Sequence, residues 1–267
     1  FINHNFEAPF NYKHFFKRRC QGVLLPYITW SLLYMLHYSY STGDYGIWHA
    51  PLIYHFFLFG LGSYQLYFLV ILLWFYLLMP LWRKLAFIIL KAPLKSLGLL
   101  LIAQIAINFY SSYLLSVSFS NPNLMLALQH RMSYWVVHYV FIFMMGTICA
   151  VHYHTLLDWL EERKRLIIGF FAASLTAMLG VYYFLLFKCG YSPEAAINTN
   201  HQLSPTGIIY TLAATLFLLL LFERIPLPSL MHKLLAKLGN YSYLIYLCHP
   251  MFMMYLEEYL RAHSLIM

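Results

Sequence analysis

Histidine is the residue of this sequence with the clearest capacity for chemistry. The chain contains 13 histidines, and His249 stands near the middle of an apolar run, directly before Pro250. Ionisable side chains are costly to place in apolar segments, so each one is a hypothesis for a functional site. A neutral imidazole can serve as a general base or hydrogen-bond a polar substrate. A structural hydrogen bond to a neighbouring helix is the alternative for His249.

Other polar residues lie within apolar runs or at their ends. Gln104 and Asn108 are four residues apart and share one helix face, while His37 and His138 lie toward the ends of their runs. Arg131, at the start of a run, has a fork of donors suited to an anionic or sugar substrate. We predict substrate-binding roles for His37, Asn108, Arg131 and His138. Interhelical hydrogen bonding or contact with water is the alternative for each.

Several common kinds of site are excluded. The sequence has no GxSxG, Walker A or GxGxxG pattern, which argues against the usual soluble hydrolases, nucleotidases and dinucleotide-binding enzymes. His152 and His154 are two potential metal ligands, but no third ligand stands at a usable spacing. We therefore predict no metal site and no bound cofactor.

The elements that carry these residues are predicted to be membrane helices. Hydrophobic residues make up 62% of the chain and charged residues 10%, against roughly 45–50% and about 25% in soluble domains. A helix needs about 20 apolar residues to cross a bilayer core. We predict an all-α, polytopic membrane helix bundle that forms a single domain over residues 1–267. Its transmembrane helices, about seven by this length criterion, are expected near 22–40, 64–82, 96–116, 133–151, 166–187, 206–222 and 240–258.

Basic residues lie in alternate connections between these runs. Of the 17 Lys and Arg residues, only Arg131, Lys188 and Arg261 fall outside every second connection. Because basic loops remain in the cytoplasm during insertion, residues 1–20 are predicted to be cytoplasmic and residues 259–267 extracytoplasmic. The charge of +8 is spread over several short loops, which favours the lipid bilayer and argues against nucleic acid as a partner.

Two segments between the runs are predicted to lie at the membrane surface. Residues 51–62 are apolar but too short to span, so we interpret them as an interfacial or re-entrant piece. Residues 152–165 carry mixed charge and apolar residues and are interpreted as a short amphipathic extension on the cytoplasmic side.

Three stretches together resemble acyltransferase family 3, whose members are integral-membrane enzymes that acylate extracytoplasmic glycans. They are FFKRRCQGVLLPYITW at 15–30, YQLYFLVILLWFYLLMPL at 64–81 and LGNYSYLIYLCHP at 238–250. The second is nearest to the branch associated with poly-N-acetylglucosamine succinylation or export. The resemblance implies a bacterial cytoplasmic-membrane enzyme. It would transfer an acetyl or succinyl group from cytosolic acyl-CoA, a co-substrate, to a hydroxyl of an extracytoplasmic polysaccharide or glycolipid.

The resemblance also implies roles for residues of the third stretch. His249 would be the catalytic base, and Ser242 and Tyr243, one to two turns earlier, would line the substrate site. Ser242 and His249 are seven residues apart and therefore share a helix face. The glycan acceptor would bind along this face.

The basic cluster of the first stretch would bind the donor. Lys17, Arg18 and Arg19 are expected to meet the phosphates of acyl-CoA, with anchoring of the topology as the alternative.

The same resemblance places further helices outside this chain. The family's first two helices and its last helix would lie beyond the runs predicted here, and the best-supported catalytic histidine would lie in that first helix. This chain alone is then expected to be inactive. A polysaccharide export component without acyl-transfer chemistry is the alternative function. The sequence leaves the acyl group, the glycan and the oligomeric state open.

Overall fold

The computed structural model describes residues 10–116, 118, 120–224 and 228–263. Within these residues every regular element is helical and no β-strand occurs, which confirms the all-α fold class. The helices are α1 (Tyr12–Arg19), α2 (Leu25–Thr42), α3 (Leu52–Phe59), α4 (Tyr67–Leu77), α5 (Met79–Leu90), α6 (Pro93–Phe109), α7 (Pro122–Gln129), α8 (Arg131–Tyr134), α9 (Val140–Val151), α10 (Tyr153–Glu162), α11 (Lys164–Phe187), α12 (Pro193–Thr199), α13 (Pro205–Arg224) and α14 (Ser229–Ala262). Cys20–Leu24 and Tyr110–Leu114 form π-helical turns, and Gly46–Trp48 and Val136–Tyr139 form 3₁₀ turns.

Three helices of the described chain are long and apolar enough to cross a membrane. They are Pro93–Leu114, Lys164–Phe187 and Pro205–Glu223. Two bent pairs pass the same test when each is counted as one span, namely α4 with α5 and Val136–Val151 with α10. The described residues thus contain three to five candidate spans, which confirms a membrane helix bundle.

The predicted number of about seven spans is larger than this result. The runs 22–40 and 240–258 fall on α2 and α14, which are helical but are not among the candidate spans. Both helices interrupt their apolar residues with Tyr, Ser and His, which lowers their mean hydropathy. Residues 1–9 of the predicted cytoplasmic segment and residues 264–267 of the predicted extracytoplasmic segment lie outside the described residues.

The contacts divide the chain into two compact units, and the described residues of the first are 81–116, 118, 120–125 and 137–224. In this unit the most extensive helix packing is between α11 and α13, and α6 packs against α9. The predicted surface segment 152–165 forms α10, which turns by 94° from the preceding helical residues. The apolar side of α10 packs into the core of this unit, where Leu160 forms a buried cluster with Ile167 and Leu220.

The described residues of the second unit are 10–80, 126–136 and 228–263. Its apolar segment 51–62 contains α3, an eight-residue helix that is capped by Gly60. Gly60 has φ +69°, and a Cβ there would lie 2.7 Å from the backbone nitrogen of Tyr67. Only glycine allows this close return of the chain. The return places Tyr64 and Gln65 directly before α4.

Two positions test the predicted orientation. Cys189 is exposed after α11 in a connection predicted to be extracytoplasmic, and the Glu162 side chain, on the predicted cytoplasmic side, is 72% exposed. With Cys20, Cys149 and Cys248 replaced by Ser, a membrane-impermeant maleimide should label Cys189 in intact cells. A Glu162→Cys variant without the native cysteines should be labelled only after permeabilisation. The reverse pattern would contradict the orientation.

Candidate functional site

His249 is held by the peptide groups of its own helix. Because Pro250 has no N–H, the carbonyl of Tyr246, four residues earlier, loses its helical donor. His249 Nδ1 takes that place, 2.9 Å from the Tyr246 oxygen and 3.2 Å from the Ile245 oxygen. A carbonyl can only accept, so Nδ1 carries the proton of the neutral ring and Nε2 keeps its lone pair.

The lone pair of His249 faces a tyrosine hydroxyl. Tyr64 Oη lies 3.0 Å from His249 Nε2 and therefore donates to it. The two rings meet edge to face. Tyr64 is 68% exposed and His249 is half-buried. A substrate hydroxyl can therefore reach the basic nitrogen by displacing the phenol.

A buried polar network adjoins this pair. The Tyr246 hydroxyl donates to the main-chain oxygen of Gln65. Gln65 Nε2 donates to Tyr34 Oη at 3.3 Å, and Tyr34 Oη donates to the Leu247 oxygen at 2.7 Å. We call Tyr34, Tyr64, Gln65, Tyr246 and His249 the His249 site.

Gln65 supplies an acceptor that the described residues do not satisfy. Its side chain is only 5% exposed, and its Oε1 receives no hydrogen bond from any of them. An unsatisfied buried acceptor costs about 1–3 kcal/mol, so a substrate donor that reached Gln65 would be stabilised there.

Ser242 and Tyr243 are not directed to His249 by any described contact. The Ser242 hydroxyl donates to the Gly239 oxygen of α14 at 2.8 Å, and its side chain is exposed. Tyr243 is half-buried, and its hydroxyl lies 3.5 Å from the Val23 oxygen in the π turn Cys20–Leu24. Their substrate-binding roles stay predictions.

His37 and Arg131 also have local partners in the second unit. The His37 ring stacks on Tyr255 with centroids 5.3 Å apart. Arg131 Nη1 donates to the Leu128 oxygen at 2.7 Å, which holds the guanidinium at the end of α7. Among the described contacts, none joins either residue to His249.

The three basic residues at the end of α1 are exposed, as donor binding requires. The Arg19 guanidinium lies 5.6 Å from the ring centre of Phe15 and 5.7 Å from that of Tyr76. These cation–π contacts hold the Arg19 side chain between α1 and α4, within the second unit. Lys17 and Arg18 lie on the same last turn and extend into the surroundings.

A second polar cluster occupies the first unit. It consists of Gln104, Asn108, Ser111 and His138, each at most 5% exposed, and we call it the Asn108 network. His138 Nδ1 lies 2.8 Å from Asn108 Oδ1. Asn108 Nδ2 donates to the oxygens of His138 and Leu203, each at 3.4 Å.

The remaining members extend this cluster on both sides of Asn108. Gln104 Nε2 donates to Asn108 Oδ1 at 2.9 Å, and its Oε1 accepts from the Phe141 N–H at 3.0 Å. Ser111 Oγ lies 3.4 Å from His138 Nε2. The structure therefore brings two predicted residues, Asn108 and His138, into direct contact.

A neighbouring histidine lies in the connection before α13. His201 stacks on Tyr113 with ring centres 6.3 Å apart, and burial lowers the pKa of His201 below its usual value. His201 is therefore neutral at neutral pH. Within the described residues, no three His, Cys, Asp or Glu side chains group as metal ligands.

Sequence reasoning missed Tyr34, Tyr64, Gln65 and Ser111. Gln65 carried a usable signal, because it is a strongly polar residue at the start of an apolar run. Tyr64 resembled an ordinary interfacial aromatic, and Ser111 resembled many other serines of apolar helices.

The helices and their inward polar side chains define a multi-pass membrane protein. A sequence model of acyltransferase family 3, described as an acyltransferase domain, matches residues 1–267. The chain therefore belongs to this family, and its predicted function as a membrane acyltransferase is confirmed in general terms. No curated protein and no solved structure matches the chain.

Replacing Asn108 with Leu tests how much the Asn108 network contributes to the free energy of unfolding. The change leaves the buried donors of His138 and Gln104 without their shared acceptor, so we expect a loss of about 2–4 kcal/mol in the free energy of unfolding. Denaturant unfolding in detergent micelles measures it. The matched change Ile102→Leu, at a 68% exposed position of α6, should have little effect. Equal stability of Asn108→Leu and the natural protein would contradict the network.

Proposed function

We propose that this protein is an O-acyltransferase that moves an acetyl or succinyl group from cytosolic acyl-CoA to a glycan hydroxyl outside the bacterial cytoplasmic membrane. The observation that carries this proposal is the geometry of His249. Its Nδ1–H faces the carbonyl oxygens of Ile245 and Tyr246, and its Nε2 lies 3.0 Å from the hydroxyl of the exposed Tyr64. This is the arrangement that a general base for a hydroxyl substrate requires.

The reaction follows from this arrangement. An acceptor hydroxyl replaces the Tyr64 phenol at His249 Nε2, which takes its proton as the oxygen attacks the thioester carbonyl. The new C–O bond forms and the C–S bond breaks. The proton then passes from His249 to the departing thiolate. During the step the carbonyls of Ile245 and Tyr246 stabilise the imidazolium through Nδ1–H.

The surroundings of His249 suit a carbohydrate acceptor. A sugar carries several hydroxyl donors, and Gln65 Oε1 is a buried acceptor that lacks a donor in the described chain. The Tyr64 and Tyr246 rings flank His249, and aromatic rings pack well against sugar faces. The resemblance of residues 64–81 favours a poly-N-acetylglucosamine-type polysaccharide as the acceptor.

The donor is proposed to bind from the α1 side. Lys17 and Arg18 are exposed cations that can meet the phosphates of coenzyme A. Beside them a cavity of about 690 Å³ begins at Phe16 and Cys20 and extends along α2 and α4. Its lining is almost entirely apolar, which suits an acyl-bearing arm better than the charged nucleotide.

Substitution of His249 tests the proposed base. In the native protein expressed in cells, His249→Gln should lower the acyl content of the glycan by about 100-fold or more, the usual worth of a general base. The acyl content is measured by mass spectrometry of purified glycan. His263→Gln is a matched control, because His263 Nδ1 bonds the Tyr259 oxygen on the same helix at 2.8 Å.

The outcomes separate the two functions considered. An unchanged acyl content in His249→Gln would remove His249 from the reaction. Normal acyl content on a much smaller amount of external glycan would instead support the export alternative.

Charge removal on α1 tests the donor site. The double variant Lys17→Gln/Arg18→Gln should raise KM for acyl-CoA about tenfold and change kcat little, because each exposed ion pair contributes about 0.2–1 kcal/mol of binding that does not change during reaction. Steady-state kinetics in proteoliposomes measures both constants. Lys233→Gln/Lys237→Gln removes the same charge from α14 and should leave KM unchanged. Equal increases in both double variants would point to general surface charge.

A further inference from the structure

The hydrogen bonds of the Asn108 network have a fixed direction. The network starts at the backbone N–H of Phe141, which can only donate, so the atom of Gln104 that faces it must be the oxygen. The NH₂ group of Gln104 then faces Asn108 Oδ1. The same oxygen lies 2.8 Å from His138 Nδ1, and an amide oxygen only accepts. His138 must therefore carry its proton on Nδ1.

This direction leaves a basic nitrogen opposite a serine. Nε2 of neutral His138 keeps its lone pair, and Ser111 Oγ lies 3.4 Å away. The orientation of the Asn108 amide is consistent with this proton position. Its Nδ2 group, a donor, faces two carbonyl oxygens, those of His138 and Leu203. A hydroxyl, a base and an amide that orients the base follow one another in the order of a nucleophilic triad. The 3.4 Å between Ser111 Oγ and His138 Nε2 is compatible with such a triad, because catalytic hydrogen bonds are often long when no substrate is bound.

The backbone at Ser111 is unusual as well. Helix α6 ends in the π turn Tyr110–Leu114, and π turns inside α-helices occur frequently at functional sites. Ser111 is 5% exposed, whereas Tyr110 is 55% and Leu114 is 62% exposed on the same turn. The hydroxyl is thus enclosed yet lies within one turn of the surface. In the proposed orientation this end of α6 is extracytoplasmic.

We propose that Ser111, His138 and Asn108 form a second catalytic site, which cleaves short-chain carboxylic esters of polyols such as acylated sugars. His138 Nε2 takes the Ser111 proton as Oγ attacks the ester carbonyl, and then gives it to the departing sugar oxygen. The acyl group remains on Ser111 as an ester. Water or another sugar hydroxyl then attacks this ester and gives its own proton to His138 Nε2, and His138 passes that proton to Oγ as the C–Oγ bond breaks. The site removes or moves acyl groups without coenzyme A.

A fluorophosphonate probe tests the nucleophile directly, because it reacts covalently with activated serines. With the native protein purified in detergent, peptide mass spectrometry should find the probe on Ser111. Ser111→Ala and His138→Gln should abolish that labelling. Ser112→Ala removes the adjacent hydroxyl of the same turn and should leave it intact. Hydrolysis of p-nitrophenyl acetate should fall about 100-fold in His138→Gln, the worth of a lost base.

The variant Ser111→Cys tests the same pair of side chains without removing the side chain at position 111, so a loss of packing cannot explain its result. In Ser111→Cys, His138 should accelerate alkylation of the thiol by iodoacetamide, and adding His138→Gln should slow it to the rate of Cys189. Absence of the probe from Ser111 in the folded native protein would overturn the proposal, as would p-nitrophenyl acetate hydrolysis at the native rate in Ser111→Ala.

Transfer from acyl-CoA, measured in the same preparation, separates this site from the function proposed above. Transfer without a label on Ser111 would overturn the second site alone. A label on Ser111 without transfer from acyl-CoA would support the second site and count against the acyl-CoA function.

Discussion

Each donor and acceptor that this chain carries into its apolar helices needs a partner, and the partners decide where each histidine holds its proton. His249 donates from Nδ1 to a carbonyl that Pro250 has released from the helix. His138 donates from Nδ1 to an amide oxygen whose own direction is set by a backbone N–H. Two unrelated sets of contacts thus present the same basic atom, Nε2, to a hydroxyl group.

The two sites differ in what encloses them. The His249 site is partly open, since the hydroxyl that it binds belongs to an exposed tyrosine. The Asn108 network is closed, and its four side chains also tie α6 to the turn Val136–Tyr139 and to the connection before α13. An open base suits a large glycan acceptor. In the Asn108 network the hydroxyl that faces the base belongs to Ser111, which is 5% exposed.

The sequence predicted the fold class and the positions of most helices because apolar runs of this length have few alternatives to helix. About seven spans were predicted from run length, whereas the described residues contain three to five candidates. The Tyr, Ser and His residues of α2 and α14 lower the mean hydropathy of these two helices. His249, Asn108 and His138 were identifiable as polar groups in apolar runs. Their partners were not, because Tyr64 meets His249 across 185 positions of the chain. Ser242 was assigned to the site by the family resemblance. Its hydroxyl bonds its own helix, as serines in helices often do, and its substrate-binding role stays a prediction.

Pro250, inside α14, and His249 act on the same atom, the carbonyl oxygen of Tyr246. If position 250 regained an N–H, the Tyr246 carbonyl would have its ordinary helical donor and the imidazole would be free to rotate or change tautomer. If position 249 lost its ring, the same carbonyl would be left without the donor that now satisfies it. His249 and Pro250 therefore depend on each other through a single oxygen atom, and a change at either position alters the hydrogen bonding of the Tyr246 carbonyl.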